Sequence, residues 1–123
     1  MGLLKKIAES LLSLLPGGGD VKNITADEFQ SLLNEKDAIA LDVRTSNEFS
    51  RGRIKGAINV DFLKPDFENK ISKFDREKKY LVYCASGGRS AAACKQMSRM
   101  GFKNCYNLKG GFSAWKRSGK PVM

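Results

Sequence analysis

Two short runs constrain this chain more than any other feature. Ala38 to Val43 and Tyr80 to Cys84 are almost continuously apolar, without a polar residue at every second position. A strand with one wet face alternates. A continuous run of this length predicts a strand covered on both faces, the situation of a parallel sheet lying between helices. The intervening segments carry helix signals. Thr25-Ala26-Asp27-Glu28 is a capping box opening a helix with Phe29, Leu32 and Leu33 on its apolar face, and Thr45 to Glu48 repeats the pattern. Pro65 is expected to open a helix containing Phe67, Ile71 and Phe74. A longer helix runs from Arg89 to Met100, with Ala93, Met97 and Met100 as its inward stripe and Cys94 beside it, and Gly101 stops it. Ala57 to Val60 and Lys103 to Leu108 are further strand candidates, and Phe112 to Lys116 is the last helix. Strands alternating with helices predict an α/β fold with a parallel central sheet covered on both faces.

The ends of the chain read differently. Leu4, Ile7, Leu11 and Leu15 recur at helical spacing, and Pro16 with Gly17-Gly18-Gly19 follows. Residues 1–20 are therefore expected to be an appended amphipathic helix on a Gly-rich hinge, and 21–123 the folded body, a length suited to one domain. The apolar stretch is too short and too interrupted to span a bilayer. Lys5 and Lys6 precede leucines as in a leader, but Glu9 breaks the run and no small-x-small site follows. Met1-Gly2 opens like a myristoylation site, yet Lys6 stands where Ser or Thr is needed. Packing on the body, a membrane surface and a partner protein are the three expected uses of this helix. A cytoplasmic location is expected, with export or membrane association through the helix as the alternative.

Composition excludes several chemistries. The chain has no histidine, so a Ser-His-Asp triad, a Cys-His protease and a His-ligated metal site are all ruled out. The three cysteines, Cys84, Cys94 and Cys105, match neither a disulfide ladder nor a zinc pattern, and free thiols in a reducing compartment are expected. No metal and no cofactor is expected. The net charge of +9 is uneven. Residues 1–60 hold eight groups of each sign, whereas residues 61–123 hold fourteen basic and five acidic groups, with no carboxylate side chain after Glu77. Such a field draws small anions or acidic partners. Nucleic acid is not expected, because no nucleic-acid motif and no interleaved aromatics accompany the cations.

The chemistry-bearing segment is Cys84-Ala85-Ser86-Gly87-Gly88-Arg89-Ser90. A cysteine closes a buried strand, a glycine-containing loop follows, and a helix begins. In an open α/β sheet, ligands bind beyond the carboxyl ends of the strands. The glycines let successive N–H groups converge, and the helix terminus adds about half a positive charge. A cysteine so placed is lowered from about 8.5 to roughly 3.5–7.5, and needs no neighbouring base to be nucleophilic. Cys94 and Cys105 read as small core residues.

At this point the sequence resembles the rhodanese family. Leu41-Asp42-Val43-Arg44 with Glu48-Phe49 is similar to its D-V-R-x-x-x-E-F/Y signature. Gly52-Arg53-Ile54-Lys55-Gly56-Ala57-Ile58-Asn59 resembles the G-H-I-x-G-A-x-N segment, Cys84 to Ser90 the active-site loop, and Asn107 to Trp115 the L-x-G-G-x-x-x-W tail. The four blocks occur in family order over residues 22–122. The resemblance implies a five-stranded parallel sheet and sulfurtransferase chemistry through a persulfide on Cys84. It implies a small anionic sulfur donor and a thiol or cyanide acceptor, with a sulfur-relay protein as a further partner. Ala85, Ser86, Gly87, Gly88, Arg89 and Ser90 become the substrate-binding loop, with Arg89 gripping an anionic donor or simply starting a helix. Asp42 and Arg44 match the family block and are expected beside the site, either as a purely structural ion pair or with a catalytic role.

This sequence departs from the family pattern in three places, one being the expected N-terminal helix, which lies outside the family domain. Arg53 replaces the common histidine, and Ala85 stands where thiosulfate-preferring members often carry a basic residue. Two other functions compete. One is a non-catalytic interaction module of the same fold. The other is a phosphatase or arsenate reductase, whose C-x5-R loop is one residue longer than the C-x4-R spacing of Cys84 and Arg89.

Overall fold

A computed structural model describes residues 21–123; the expected helix and hinge over residues 1–20 lie outside the described residues. Five strands form one sheet, β1 (Lys22–Ile24), β2 (Ala38–Asp42), β3 (Ile58–Asn59), β4 (Lys79–Tyr83) and β5 (Asn104–Leu108), in the order β1-β5-β4-β2-β3. Every pairing is parallel. Five helices alternate with them: α1 (Ala26–Leu33), α2 (Ser46–Arg51), α3 (Phe67–Ile71), α4 (Gly88–Arg99) and α5 (Gly111–Arg117).

The continuous apolar runs have the expected cause. Along β4, Tyr80 and Val82 belong to one buried cluster, and Leu81 and Tyr83 to another on the opposite face. The first cluster takes Phe67 and Ile71 from α3 and Ala93, Cys94 and Met97 from α4. The second takes Ala26 and Phe29 from α1 and Phe112 and Trp115 from α5. Each face is thus closed by two helices. Phe29 is central to the second cluster, edge-on to Tyr83 at 6.1 Å and to Trp115 at 5.7 Å between ring centres. All three cysteines are free and buried.

Both capping boxes form. Thr25 and Glu28 exchange backbone-to-side-chain bonds of 3.0 and 3.2 Å, and Thr45 and Glu48 bonds of 3.1 and 3.2 Å. Other expectations shift. α3 starts at Phe67, not Pro65, because Asp61 closes a turn onto Leu63 and Lys64 first. It ends at Ile71, and Phe74 lies beyond it, stacked on Tyr80 at 6.0 Å. Cys94 lies within the buried stripe of α4, while Met100 is only partly buried. β1 was not expected as a strand; three residues at a sheet edge, with only Ile24 buried, carry too little pattern to read.

The strand order has a direction. The chain leaves β2 for the edge strand β3, then returns over β2 to β4 and continues to β5. Connections therefore run in opposite senses from the adjacent strands β2 and β4. A crevice opens at their carboxyl ends, between the segment leading into α2 and the one leading into α4.

Candidate active site

Cys84 is the first residue past β4 and stands in this crevice. It is 1 % exposed, so its sulfur lies at the floor of the loop. Gly87 is left-handed, with φ +108°, a conformation that favours glycine. That turn brings the Gly87 N–H to the sulfur at 3.0 Å. Ser90, fully buried in the first turn of α4, donates its hydroxyl to the same sulfur at 3.3 Å. Burial pushes the thiol up. The Ser90 hydroxyl and the N–H groups of Ser90, Gly87 and Ser86 outweigh it, so the Cys84 pKa falls below its ordinary value. Burial without donors does the opposite at the other two thiols, raising Cys94 strongly and pushing Cys105 up to about 12. Of the three buried cysteines, Cys84 alone has its pKa lowered.

The loop is also held from behind. The N–H groups that open α5 are aimed at it: Phe112 donates to the Cys84 carbonyl at 2.8 Å, and Ser113 to the Ala85 carbonyl at 3.1 Å. Gly111, at φ +61°, makes this approach feasible. A Cβ there would lie 2.6 Å from the Ala85 carbonyl carbon and oxygen and 2.7 Å from the Cys84 oxygen. Asn107, at the end of β5, reaches the Gly87 carbonyl at 3.4 Å and Asn23 at 2.9 Å. Sequence reasoning did not assign these supports. The Gly110-Gly111 doublet was their only signal, since the contact joins segments more than twenty residues apart.

Asp42 and Arg44 form a buried pair beside the crevice. The guanidinium meets the Asp42 carboxylate at 2.6 and 3.0 Å, donates to the Gly52 carbonyl at 2.7 Å, and lies 4.4 Å from the Phe112 ring centre. Asn59 donates to the carbonyls of Asp42 and Arg44 at 3.0 and 2.9 Å. These contacts tie the ends of β2 and β3 to α5; none of them touches the sulfur.

Arg89 is placed otherwise than its sequence context suggests. Although no carboxylate side chain follows Glu77, Arg89 is paired with Glu48 of α2, 41 positions earlier. The two meet in a fork of 2.9 and 3.1 Å across the crevice. Chiefly through Arg89, and with help from Thr45, Glu48 is lowered to about 2. Glu48 therefore joins the candidate site, having been legible beforehand as a helix cap and as part of the D-V-R-x-x-x-E-F/Y block, with no partner assigned. Arg44, Glu48, Arg51, Gly52, Phe112 and Lys116 line an adjoining cleft of about 170 Å³. Among the described residues, no group of His, Cys, Asp or Glu is arranged to hold a metal, and no helix is long and apolar enough to cross a membrane.

The chain is similar to known proteins in sequence and in fold. The family model described as "Rhodanese-like domain" matches residues 25–118. A protein named thiosulfate sulfurtransferase 16, chloroplastic, from Arabidopsis thaliana is 40 % identical over 92 residues, covering 67 % of this chain and 77 % of its own length. The thiosulfate sulfurtransferase GlpE of Coxiella burnetii is 33 % identical over 95 residues, 77 % of this chain and 87 % of its own. The crystal structure of a rhodanese-related protein from Thermoplasma volcanium superposes with a TM-score of 0.74 at 34 % identity, covering 83 % of this chain and 97 % of that one. The family model, the relatives and the superposition thus agree, and the chain belongs to the rhodanese family.

Proposed function

We propose that this protein is a sulfurtransferase that carries sulfane sulfur as a persulfide on Cys84. The observation that carries the reading is the sulfur itself, receiving the Gly87 N–H at 3.0 Å and the Ser90 hydroxyl at 3.3 Å at the carboxyl edge of the sheet. In the first half-reaction the Cys84 thiolate attacks the outer sulfur of the donor. A bond forms between the Cys84 sulfur and the donor's outer sulfur, the donor's own S–S bond breaks, and sulfite (from thiosulfate) or a thiolate (from a persulfide) leaves with the electron pair. In the second, an acceptor thiolate or cyanide attacks the outer sulfur and the Cys84 thiolate leaves. The same donors that stabilise the thiolate suit the terminal sulfur of the persulfide, which is also a soft anion. Arg89, engaged by Glu48, is not available to wrap a phosphate, which weighs against phosphatase chemistry. Three unbridged thiols suit a reducing compartment.

Intact mass after incubation with thiosulfate or glutathione persulfide is the direct test. One sulfur atom should be gained and then removed by cyanide; a mass unchanged by both donors would refute a sulfur-carrying role and leave a binding module. The thiolate makes a second expected result. Its ultraviolet absorbance against pH should rise with a midpoint below the roughly 8.5 of free cysteine, and the step should vanish in Cys84→Ser. Because the pKa is lowered, the reactive form persists to lower pH and activity is lost only as pH falls through that midpoint. A midpoint at or above the free value would mean that burial outweighs the donors.

A further inference from the structure

A second cleft lies on the other side of the Cys84 loop, at the carboxyl ends of β1 and β5. Its volume is about 470 Å³, within the range of sites that hold a small organic molecule. Asn23, Ser86, Gly87, Asn107 and Lys109 are among the residues that line it. A single residue joins it to the thiol. Gly87 gives its N–H to the Cys84 sulfur at 3.0 Å, while its carbonyl accepts from the Asn107 amide at 3.4 Å. Ser86, which is exposed, belongs both to the loop and to the cleft.

The lining is rich in donors. No carboxylate is among the residues that form it. The nearest acid that contacts it, Glu28, is turned onto the Thr25 N–H at 3.0 Å. Lys109 is exposed at the lip, and the guanidinium of Arg117, in the last turn of α5, folds back beside it: a Cβ on Gly110 would lie 3.7 Å from its Nη2. Among the described residues neither cation meets a carboxylate. The side-chain oxygen of Asn23 is taken by Asn107 at 2.9 Å, and its nitrogen remains to donate. The cleft beside α2 differs in holding Glu48. Two cations, an amide and a hydroxyl around a carboxylate-free cleft favour an organic carboxylate. The family blocks specify none of Asn23, Lys109 and Arg117.

We propose that this cleft binds the carboxylate end of the thiol that accepts sulfur from Cys84, and that this acceptor is a small peptide thiol whose carboxylate lies one residue beyond its cysteine. This rests on the sulfurtransferase reading and deepens it. Ser86 is two residues on from Cys84, a reach of at most about 7 Å. In free cysteine the thiol and the carboxylate are too close together to span that gap; one further residue adds about 3.5 Å. The transfer step is unchanged. The thiolate of the bound peptide attacks the outer sulfur of the Cys84 persulfide, a new S–S bond forms, and the Cys84 thiolate leaves with the electron pair. The cleft contributes position, holding the attacking sulfur near its target.

S-methylglutathione has that carboxylate but no free thiol, so it reads binding apart from chemistry. Titrated into isotope-labelled wild-type protein, it should shift the N–H signals of Ser86, Gly87 and Lys109 and the side-chain amide of Asn23. Lys109→Glu/Arg117→Glu should raise its Kd about tenfold or more, and salt should weaken binding in the wild type more than in the variant. With thiosulfate as donor, kcat/KM for glutathione relative to mercaptoethanol, which has no carboxylate, should fall by a similar factor. Both side chains are exposed, so the melt should move little. Lys109→Gln/Arg117→Gln, with an expected loss of about threefold, makes the same comparison should charge reversal disturb the fold. No shifts at millimolar ligand, shifts gathered instead around Arg51 and Lys116, or a Kd and glutathione preference unchanged in the folded variants would each overturn the proposal. A wild-type protein that binds S-methylglutathione in the cleft yet takes sulfur from neither thiosulfate nor glutathione persulfide would sustain the carboxylate site and refute the sulfurtransferase reading, a separable failure.

Discussion

Cys84→Ser should lower sulfur transfer by about 10³-fold or more, from any donor to any acceptor. Serine keeps the shape of the loop and can still accept the Gly87 N–H, but its hydroxyl is not ionised at neutral pH and cannot hold a second sulfur. The fold should be intact, so the melt should move little. Cys94→Ala and Cys105→Ala are the matching controls. Both thiols are buried and pushed far up, so neither is a nucleophile, and their loss should cost some packing but leave most of the activity. Steady-state assays of the three variants, with the mass of each after donor treatment, decide the matter. A Cys84→Ser protein that still gains a sulfur would move the chemistry to another residue.

Asp42→Ala should act on the opposite property. Asp42 is fully buried and Arg44 is 5 % exposed, and the two are joined by a fork that also carries the Gly52 carbonyl. Removing the carboxylate leaves a guanidinium buried against Tyr83 and Phe112 with one partner gone. Breaking a buried pair from one side costs about 3–5 kcal/mol. In a domain of this size that lowers Tm by roughly 10–25 °C. Denaturant unfolding measures the loss. The protein that remains folded at low temperature should still load sulfur on Cys84, because the pair touches the ends of β2 and β3 and not the sulfur. A variant of normal stability but without activity would give Asp42 a chemical role instead.

These expectations draw on two kinds of information. The central strands were legible because a doubly covered strand must be apolar at every position, and that requirement is written locally in Tyr80-Leu81-Val82-Tyr83. The helix starts over Thr25 and Thr45 were legible because a capping box closes within four residues. The two-residue strand β3, the edge strand β1 and the start of α3 after Pro65 were blurred or missed. Their boundaries depend on a neighbouring strand, or on a turn closed by one side chain, and not on any period in the chain.

For the candidate site, local sequence marked the thiol that we propose as the nucleophile. A cysteine ending a buried strand, four residues before a helix that opens at Gly87-Gly88, is placed among converging N–H groups, and the structure brings Gly87 and Ser90 to it. The charge around that nucleophile was not determined locally. Counting along the chain suggests an acid-free stretch with Arg89 unopposed. Instead, parallel strand order sets the ends of β2 and β4 side by side, and Glu48 arrives from 41 residues away to neutralise it. The backing of the loop by α5 is equally a matter of tertiary placement, since Gly111 has a reason to be glycine only once the Ala85 carbonyl stands 2.6 Å from where its Cβ would be. Hydrogen-bond donors carried on a turn are local and readable. Partners set by which strand lies beside which belong to the fold alone, because Coulomb attraction and steric contact depend on distance in space and not on separation along the chain.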